Sequence, residues 1–344
     1  MQTFTNLPLP VSESISTILS RSDVNSLSSS AKRLHERYMN RDLPKQGSFI
    51  QGPSDVLAYL SLRAPATYAQ ICGALLQIQE RIPEWQPKNV LDIGCGPGTG
   101  IWAAKTVWQD ISSAEGVDQD KYFLTLGQEI LLGSKLTIDT RWTNLSITKW
   151  IETNTVAYDL IIVANVWNEL PEVVAERLLN QVALRSSGVV LVLEPGTSVG
   201  NGIIQNISTK LQPKEHFISP YINNSFIVNN EYWVHFPQRF QRPEFQRRIR
   251  QSMRESSFMA SDWEEAKYSY VAFGNIFSGT KIWGQCIGQT NKQKGFLTIP
   301  LLTEEGVVHA RVLKRHREQY IFAKNLHWGE TIANKDSIVR DKDS

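Results

Sequence analysis

Val90-Leu91-Asp92-Ile93-Gly94-Cys95-Gly96-Pro97-Gly98-Thr99-Gly100 runs from an apolar segment carrying one aspartate into three glycines at alternate positions. Helix-compatible Ile101-Trp102-Ala103-Ala104-Lys105 follows. The pattern predicts a strand, a tight turn and a helix start. Glycines at 94, 96 and 98 can take backbone torsions closed to residues with a Cβ, and they let a ligand lie against the main chain. A helix beginning near Thr99 turns its unpaired amides into the same crevice. A dinucleotide fingerprint needs its third glycine three positions after the second, where this chain has Thr99, so the loop reads G-x-G-x-G.

Working outward, Asp92-Ile93-Gly94-Cys95-Gly96-Pro97-Gly98 resembles the first motif of the S-adenosylmethionine-dependent methyltransferases. The next elements fit that fold. Ala114 to Asp118 reads as a second strand, and Asp118, 20 positions after Gly98, is placed to accept from ribose hydroxyls, with Asp120 as its neighbouring competitor. A third strand is expected over 136–142, followed by Asn144, where this fold often contacts adenine. Tyr158 to Leu170 is an apolar run with a polar end at Asn165, Asn168 and Glu169. Such a run fits a strand buried on both faces with polar groups displayed at its C-terminal edge. Gly188 to Leu193 gives a fifth strand. The alternation with helical segments, including Pro171 to Leu184, predicts an α/β doubly wound, Rossmann-like sheet.

Upstream, 1–62 reads as a helical extension, with Ser28-Ser29-Ser30 capping a helix over 31–39 and Gly52-Pro53-Ser54 opening one over 55–62. Tyr68, Ile71, Leu75, Ile78 and Ile82 form the stripe of an amphipathic helix. The methyltransferase domain is expected over 63–275, with a basic insertion at about 201–260. There Asn223, Asn224, Asn229 and Asn230 mark a loop, and Arg239, Arg242, Arg247, Arg248, Arg250 and Arg254 follow. A strand is expected over 268–273. Residues 276–344 form a strand-rich extension and tail, with a hairpin of 296–301 and 307–314 about Glu304-Glu305-Gly306.

The 344 residues carry 36 basic and 34 acidic side chains, a net charge of +2. From residue 201 onward the balance is 20 basic to 14 acidic, so the surplus lies in the C-terminal part and points to an anionic partner such as RNA. Cys72, Cys95 and Cys286 are far apart, without metal-ligand spacing, and His216, His235, His309, His316 and His327 show none either. No apolar run approaches the ~20 residues that cross a bilayer. The N-terminus shows neither a signal-peptide pattern nor Arg-rich amphipathic character, so a cytoplasmic, monomeric protein with no membrane partner and no metal is the expectation.

The chain also carries Arg63-Ala64-Pro65-Ala66-Thr67-Tyr68, Leu91 to Thr99, Asn168-Glu169-Leu170, Leu193-Glu194-Pro195-Gly196-Thr197, His235-Phe236, Lys267-Tyr268-Ser269-Tyr270 and Trp328-Gly329. Together these pieces resemble one family, the methyltransferase-like proteins of the mitochondrial small ribosomal subunit and their bacterial relatives. The resemblance implies S-adenosylmethionine as cofactor and the small ribosomal subunit or its rRNA as partner. It also implies four cysteines for an iron–sulfur cluster, yet their positions fall near Ser219-Pro220, Ser225-Phe226, Val234 and Leu302, and none is cysteine here. Without thiolates no iron–sulfur cluster is expected.

In this reading Asp92, Gly94, Cys95, Gly96 and Gly98 hold the methionine part, Asp118 the ribose and Asn144 the adenine, while Asn165 borders the cofactor where the acceptor enters. Asn165-Val166-Trp167 lacks the prolines of an amino-methyltransferase motif, and no residue identifies a catalytic base. Asn168 and Glu169 also suit a helix cap, and the six arginines suit either phosphate contact or a solvated helix face. Three functions follow: methylation of small-subunit rRNA, an assembly factor that keeps the fold without transfer, and, less favoured by the basic C-terminal part, a small-molecule methyltransferase.

Overall fold

The computed structural model describes residues 5–40, 50–153, 155–211, 216–220, 233–253, 262–276 and 282–338. Asn223, Asn224, Asn229, Asn230, Ser225-Phe226 and Arg254 lie outside the described residues. Five strands, β1 (Asn89–Ile93), β2 (Ser113–Asp118), β3 (Asp139–Asn144), β4 (Tyr158–Ala164) and β5 (Ser186–Pro195), pair in parallel in the order β3-β2-β1-β4-β5. The chain leaves β1 toward β2 and β3, then returns to lay β4 on the other side of β1. That reversal opens a crevice at the carboxyl ends of β1 and β4, where doubly wound sheets bind ligands. β3 begins at 139 rather than 136 because its first partner, Ser113, stands opposite Asp139.

Beyond β5 the sheet turns antiparallel. The long β8 (Trp263–Gly274) lies against β5 along 268–274, takes the short β6 (His216–Ser219) at 272–274, and carries β7 (Phe236–Gln241) along 263–268. These three partners explain why β8 starts five residues before the predicted strand. The basic stretch from Phe236 onward therefore divides into β7 and a helix, Glu244–Ser252.

Helices α1 (Leu9–Leu19), α2 (Val24–Asn40), α3 (Pro53–Leu62), α4 (Ala64–Arg81), α5 (Thr99–Val107), α6 (Lys121–Ser134), α7 (Ile147–Thr153), α8 (Glu172–Arg185) and α9 (Ser198–Leu211) flank the sheet, and Glu244–Ser252 is α10, packed on α2 and α3. The serines at 28 and 29 do not cap. Asp23 accepts the Ser26 amide at 2.9 Å and starts α2 earlier, and the two serine hydroxyls bond the Val24 and Asn25 carbonyls within the helix. A continuous apolar core joins α1–α4 to the sheet, with Trp102, Trp108, Trp150, Tyr68 and Phe273 fully enclosed.

The C-terminal part builds a second sheet from β9 (Gly284–Cys286), β10 (Asn291–Gln293), β11 (Phe296–Thr303), β12 (Gly306–Leu313) and β13 (Thr331–Ile332). The predicted hairpin closes through Thr303 opposite Gly306, the glycine at φ +99°. Helix α11 (Arg317–Asn325) seals this sheet over Leu297, Ile299 and Leu301. No helix among the described residues is long and apolar enough to cross a membrane.

Candidate functional site

The loop from β1 to α5 takes the left-handed backbone at all three glycines, with φ +66° at Gly94, +53° at Gly96 and +91° at Gly98. Their surroundings differ. A Cβ at Gly94 would collide with the Val166 side chain, and one at Gly98 would stand 2.7 Å from the Trp142 ring, whereas one at Gly96 meets nothing within 4 Å. Gly94 and Gly98 are thus required by packing, and Gly96 leaves open space above the loop.

Four carboxylates lie at or just past the ends of the adjacent strands β2, β1, β4 and β5, near enough that their charges act on one another. Asp92, at the end of β1, accepts the Gly100 amide at 3.1 Å and so ties the strand to the first turn of α5. Burial, with a smaller push from Asp118, raises its pKa to about 7 against the pull of the Gly100 amide. Asp118, closing β2, accepts from the Gly96 amide at 2.8 Å and the Asp120 amide at 2.9 Å, and burial raises its pKa too. Glu169 follows β4 in a short 3-10 turn, Trp167–Glu169, and burial with the Asp118 charge lifts it to about 7. Glu194, near the end of β5 and fully buried, accepts the Trp167 amide at 2.8 Å and is lifted by burial to about 8.

The other expected residues are placed as follows. Asp120 is no competitor for Asp118: its carboxylate caps α6 through the Tyr122 and Phe123 amides at 2.8 and 3.3 Å. Asn144 lashes the end of β3 to β2, its amide nitrogen donating to the Asp118 and Gln119 carbonyls at 3.1 and 2.9 Å. Cys95 is buried beside Gly116, and burial raises its thiol, which makes it a packing group. Asn168 and Glu169 do not cap α8, whose N-cap is Pro171 without a side-chain bond.

Asn165 takes φ +57°, unusual for a residue with a side chain. Its orientation follows from a relay. The Lys267 carbonyl can only accept, so the Gln70 amide nitrogen faces it at 2.8 Å, which turns the Gln70 Oε1 toward the Asn165 Nδ2 at 3.4 Å. Asn165 Oδ1 is left buried, with no hydrogen-bond partner among the described residues. Gln70 and Glu194 were not identifiable from sequence as site residues, since both reach the crevice from distant elements. The Glu194-Pro195-Gly196-Thr197 match was the one available sign of the second.

The arginines divide. Arg242 and Arg250 both bond Glu264 Oε2, at 3.2 and 2.9 Å, with side chains only 6% and 13% exposed, which removes them from a phosphate-facing set. A guanidinium already paired and enclosed has few donors to offer a phosphate. Arg239 pairs with Glu265 at 3.5 Å, while Arg247 and Arg248 are exposed on α10.

The residues at the implied iron–sulfur positions do not fit a cluster. Ser219 is fully buried, its hydroxyl 2.6 Å from that of Tyr270, and Val234 and Leu302 are core side chains. The described residues hold no group of three or more His, Cys, Asp or Glu arranged for a metal ion.

The family profile described as "Mitochondrial small ribosomal subunit Rsm22" matches residues 53–333, across the crevice and both sheets. The chain belongs to this family. A curated relative, the human "Ribosome assembly protein METTL17, mitochondrial", is 27% identical over 162 residues, which are 46% of this chain and 35% of the relative. The matched part thus spans about a third of the relative's length. Among solved structures, the plantazolicin methyltransferase BpumL in complex with SAH aligns at 13% identity over 77% of this chain and 99% of that one, TM-score 0.40. A putative RNA methyltransferase, PH1948 from Pyrococcus horikoshii, aligns at 14% identity over 63% and 86%, TM-score 0.39.

The expected cytoplasmic location is overturned, because both the family description and the human relative are mitochondrial. That expectation rested on N-terminal pattern and cysteine spacing. Targeting is read by receptors and leaves no mark on how a folded domain packs, so neither signal was decisive.

Proposed function

We propose that this family member binds S-adenosylmethionine in the crevice over Gly96 and acts with the small ribosomal subunit in mitochondria. The observation that carries the first half is the open space over the left-handed Gly96, whose amide Asp118 holds, with Asp92, Glu169 and Glu194 at the neighbouring strand ends. S-adenosylmethionine brings a sulfonium, an ammonium and a ribose diol, and when bound it supplies an electrophilic methyl group. The partly exposed carboxylates of Asp118 and Glu169 complement those cations, and Asp118, closing β2, is the acceptor we assign to the ribose hydroxyls. The family membership supports the second half. Calorimetry with S-adenosylmethionine tests the cofactor, and co-sedimentation with mitochondrial small-subunit particles tests the partner. Silence in both would end the proposal.

A second reading, methyl transfer rather than cofactor binding alone, is favoured by Asn165. The Lys267–Gln70 relay fixes its amide and leaves the buried Oδ1 an acceptor without a partner among the described residues, which an incoming N–H donor such as an amino group would satisfy. Glu169, lifted to about 7 in the same crevice, suits uptake of the proton released by such a nucleophile. Incorporation of labelled methyl into small-subunit particles, lost in Asn165→Ala, tests this against a transfer-silent assembly factor.

A further inference from the structure

The β7–β8 ribbon presents one face that carries aromatic and basic side chains. In its antiparallel register Pro237 stands opposite Lys267, Arg239 opposite Glu265 and Gln241 opposite Trp263, so these side chains share a face. The opposite face, with Ala266, Phe240 and Tyr268, is buried, Ala266 and Phe240 against Ala69 of α4. Trp263 is 40% exposed at one end, with the Arg239 guanidinium 4.5 Å from its ring centroid. At the other end Trp233, 46% exposed, lies 5.6 Å from the His235 ring at an interplanar angle of 31°, and Trp328 braces His235 from 4.7 Å. Lys267 is exposed between them.

Tryptophan is enriched at contact surfaces, where its ring supplies a large flat apolar area with a polar edge. Trp263 on the ribbon and Trp233 just before β7, with Arg239 and Lys267 alongside, give what single-stranded nucleic acid requires: flat apolar surfaces for unstacked bases and cations for the phosphates between them, while Glu265 on the same face is paired with Arg239. The strip also leads somewhere. Lys267 carries the carbonyl that accepts from Gln70 at 2.8 Å and from the Gly196 amide at 2.9 Å, and Gln70 touches Asn165. From Trp263 to Lys267 along β8 is roughly 13 Å, room for two or three nucleotides.

We infer that the Trp263–Arg239–Lys267–Trp233 face is a stacking platform for unpaired RNA that delivers a base to the crevice beside Asn165. It rests on the small-subunit reading and adds to it a surface for the RNA.

The test is fluorescence anisotropy of labelled single-stranded and duplex RNA of about twelve nucleotides, titrated with the full chain and with W233A, W263A, W263F and K267E. Single strands bind more tightly than duplexes, each Trp→Ala variant weakens single-strand binding about tenfold, W263F keeps most of it, and K267E lowers the salt dependence by about one phosphate. Each variant is checked for unchanged melting temperature and S-adenosylmethionine affinity, which separates a lost platform from a lost crevice. Unchanged oligonucleotide binding in both Trp→Ala variants overturns the platform and leaves the small-subunit reading standing. Loss of particle association in W263A without any effect on RNA binding also overturns it, in favour of a protein contact.

Discussion

The Asp118 carboxylate accepts the Gly96 amide at 2.8 Å, so the acid proposed to face the ribose also holds the glycine loop in shape. Asp118→Ala removes a ligand contact and leaves a buried amide unpaired. S-adenosylmethionine binding should weaken at least about thirtyfold, with about 1–3 kcal/mol lost from stability. Asp118→Asn retains an oxygen for Gly96 but loses the charge, and should recover stability more fully than binding. Calorimetry beside thermal unfolding reads both, and equal binding by all three proteins would refute the role.

Two glycines of the same loop separate folding from binding. Gly94→Ala meets both the left-handed torsion and Val166, and should cost about 2–4 kcal/mol. Gly96→Ala meets the torsion alone, about 1 kcal/mol, yet its methyl projects into the space assigned to the cofactor. The expected pattern is a large drop in melting temperature for the first and a small drop with abolished cofactor binding for the second. Strong cofactor binding by Gly96→Ala would move the ligand elsewhere.

Asp92, Glu169 and Glu194 stand at about 7, 7 and 8, each raised chiefly by burial. Each therefore binds its proton more tightly folded than unfolded. Between the ordinary carboxylate range and about pH 8 the folded chain holds more protons, so its stability falls as pH rises, and below that range the contribution is fully favourable. Melting temperature should decline from about pH 5 to about pH 8.5, and Glu194→Gln, which keeps an oxygen for the Trp167 amide, should flatten the decline. Cationic S-adenosylmethionine should release protons on binding, whereas its uncharged-sulfur product should release fewer.

Much of this was legible in the sequence because it is local. The glycine spacing, the apolar run into Asn165 and the Glu304-Glu305-Gly306 turn each specify backbone within a few residues. What was not legible depends on pairing over long separations. Helix α1 falls within the expected helical extension, but its bounds were not marked, since it opens on prolines rather than on a capping side chain, and a proline in the first turn is tolerated. The arginines of 236–254 looked like one basic face, but Glu264 arrives from β8 and encloses two of them. Gln70 enters the site from α4, and no pattern in its own helix signals that.

Glu264 yields its own prediction. It bonds Arg242, Arg250 and Gln246, at 3.2, 2.9 and 3.4 Å, where α10 meets the ribbon. Glu264→Ala leaves two enclosed guanidinium groups without this partner and should cost about 3 kcal/mol in urea unfolding. Arg247→Glu with Arg248→Glu should leave stability nearly unchanged, since both are exposed, while weakening RNA binding and its salt dependence. Equal stability loss in both variants would contradict this division.

A hydrogen-bond network holds the region where the family resemblance implies a cluster. The Ser219 and Tyr270 hydroxyls meet at 2.6 Å, Tyr270 donates to Gln77 Oε1 at 2.6 Å, and Gln285 donates to the same oxygen at 2.7 Å and to the Gly329 carbonyl at 2.9 Å. This network joins β6 and β8 to α4 and to the second sheet. Because Ser219 and Gln285 are fully buried, each bond lost strands a polar atom away from water. Tyr270→Phe should therefore cost about 1–3 kcal/mol, and combining it with Gln285→Leu should cost less than the sum, since both act through Gln77. Iron chelators should leave the melting temperature of the parent chain unchanged, because hydrogen bonds and core packing occupy the three described positions, Ser219, Val234 and Leu302, where thiolates would be needed. A chelator-induced drop of several degrees, with iron recovered from the dialysate, would show that metal supports the fold after all.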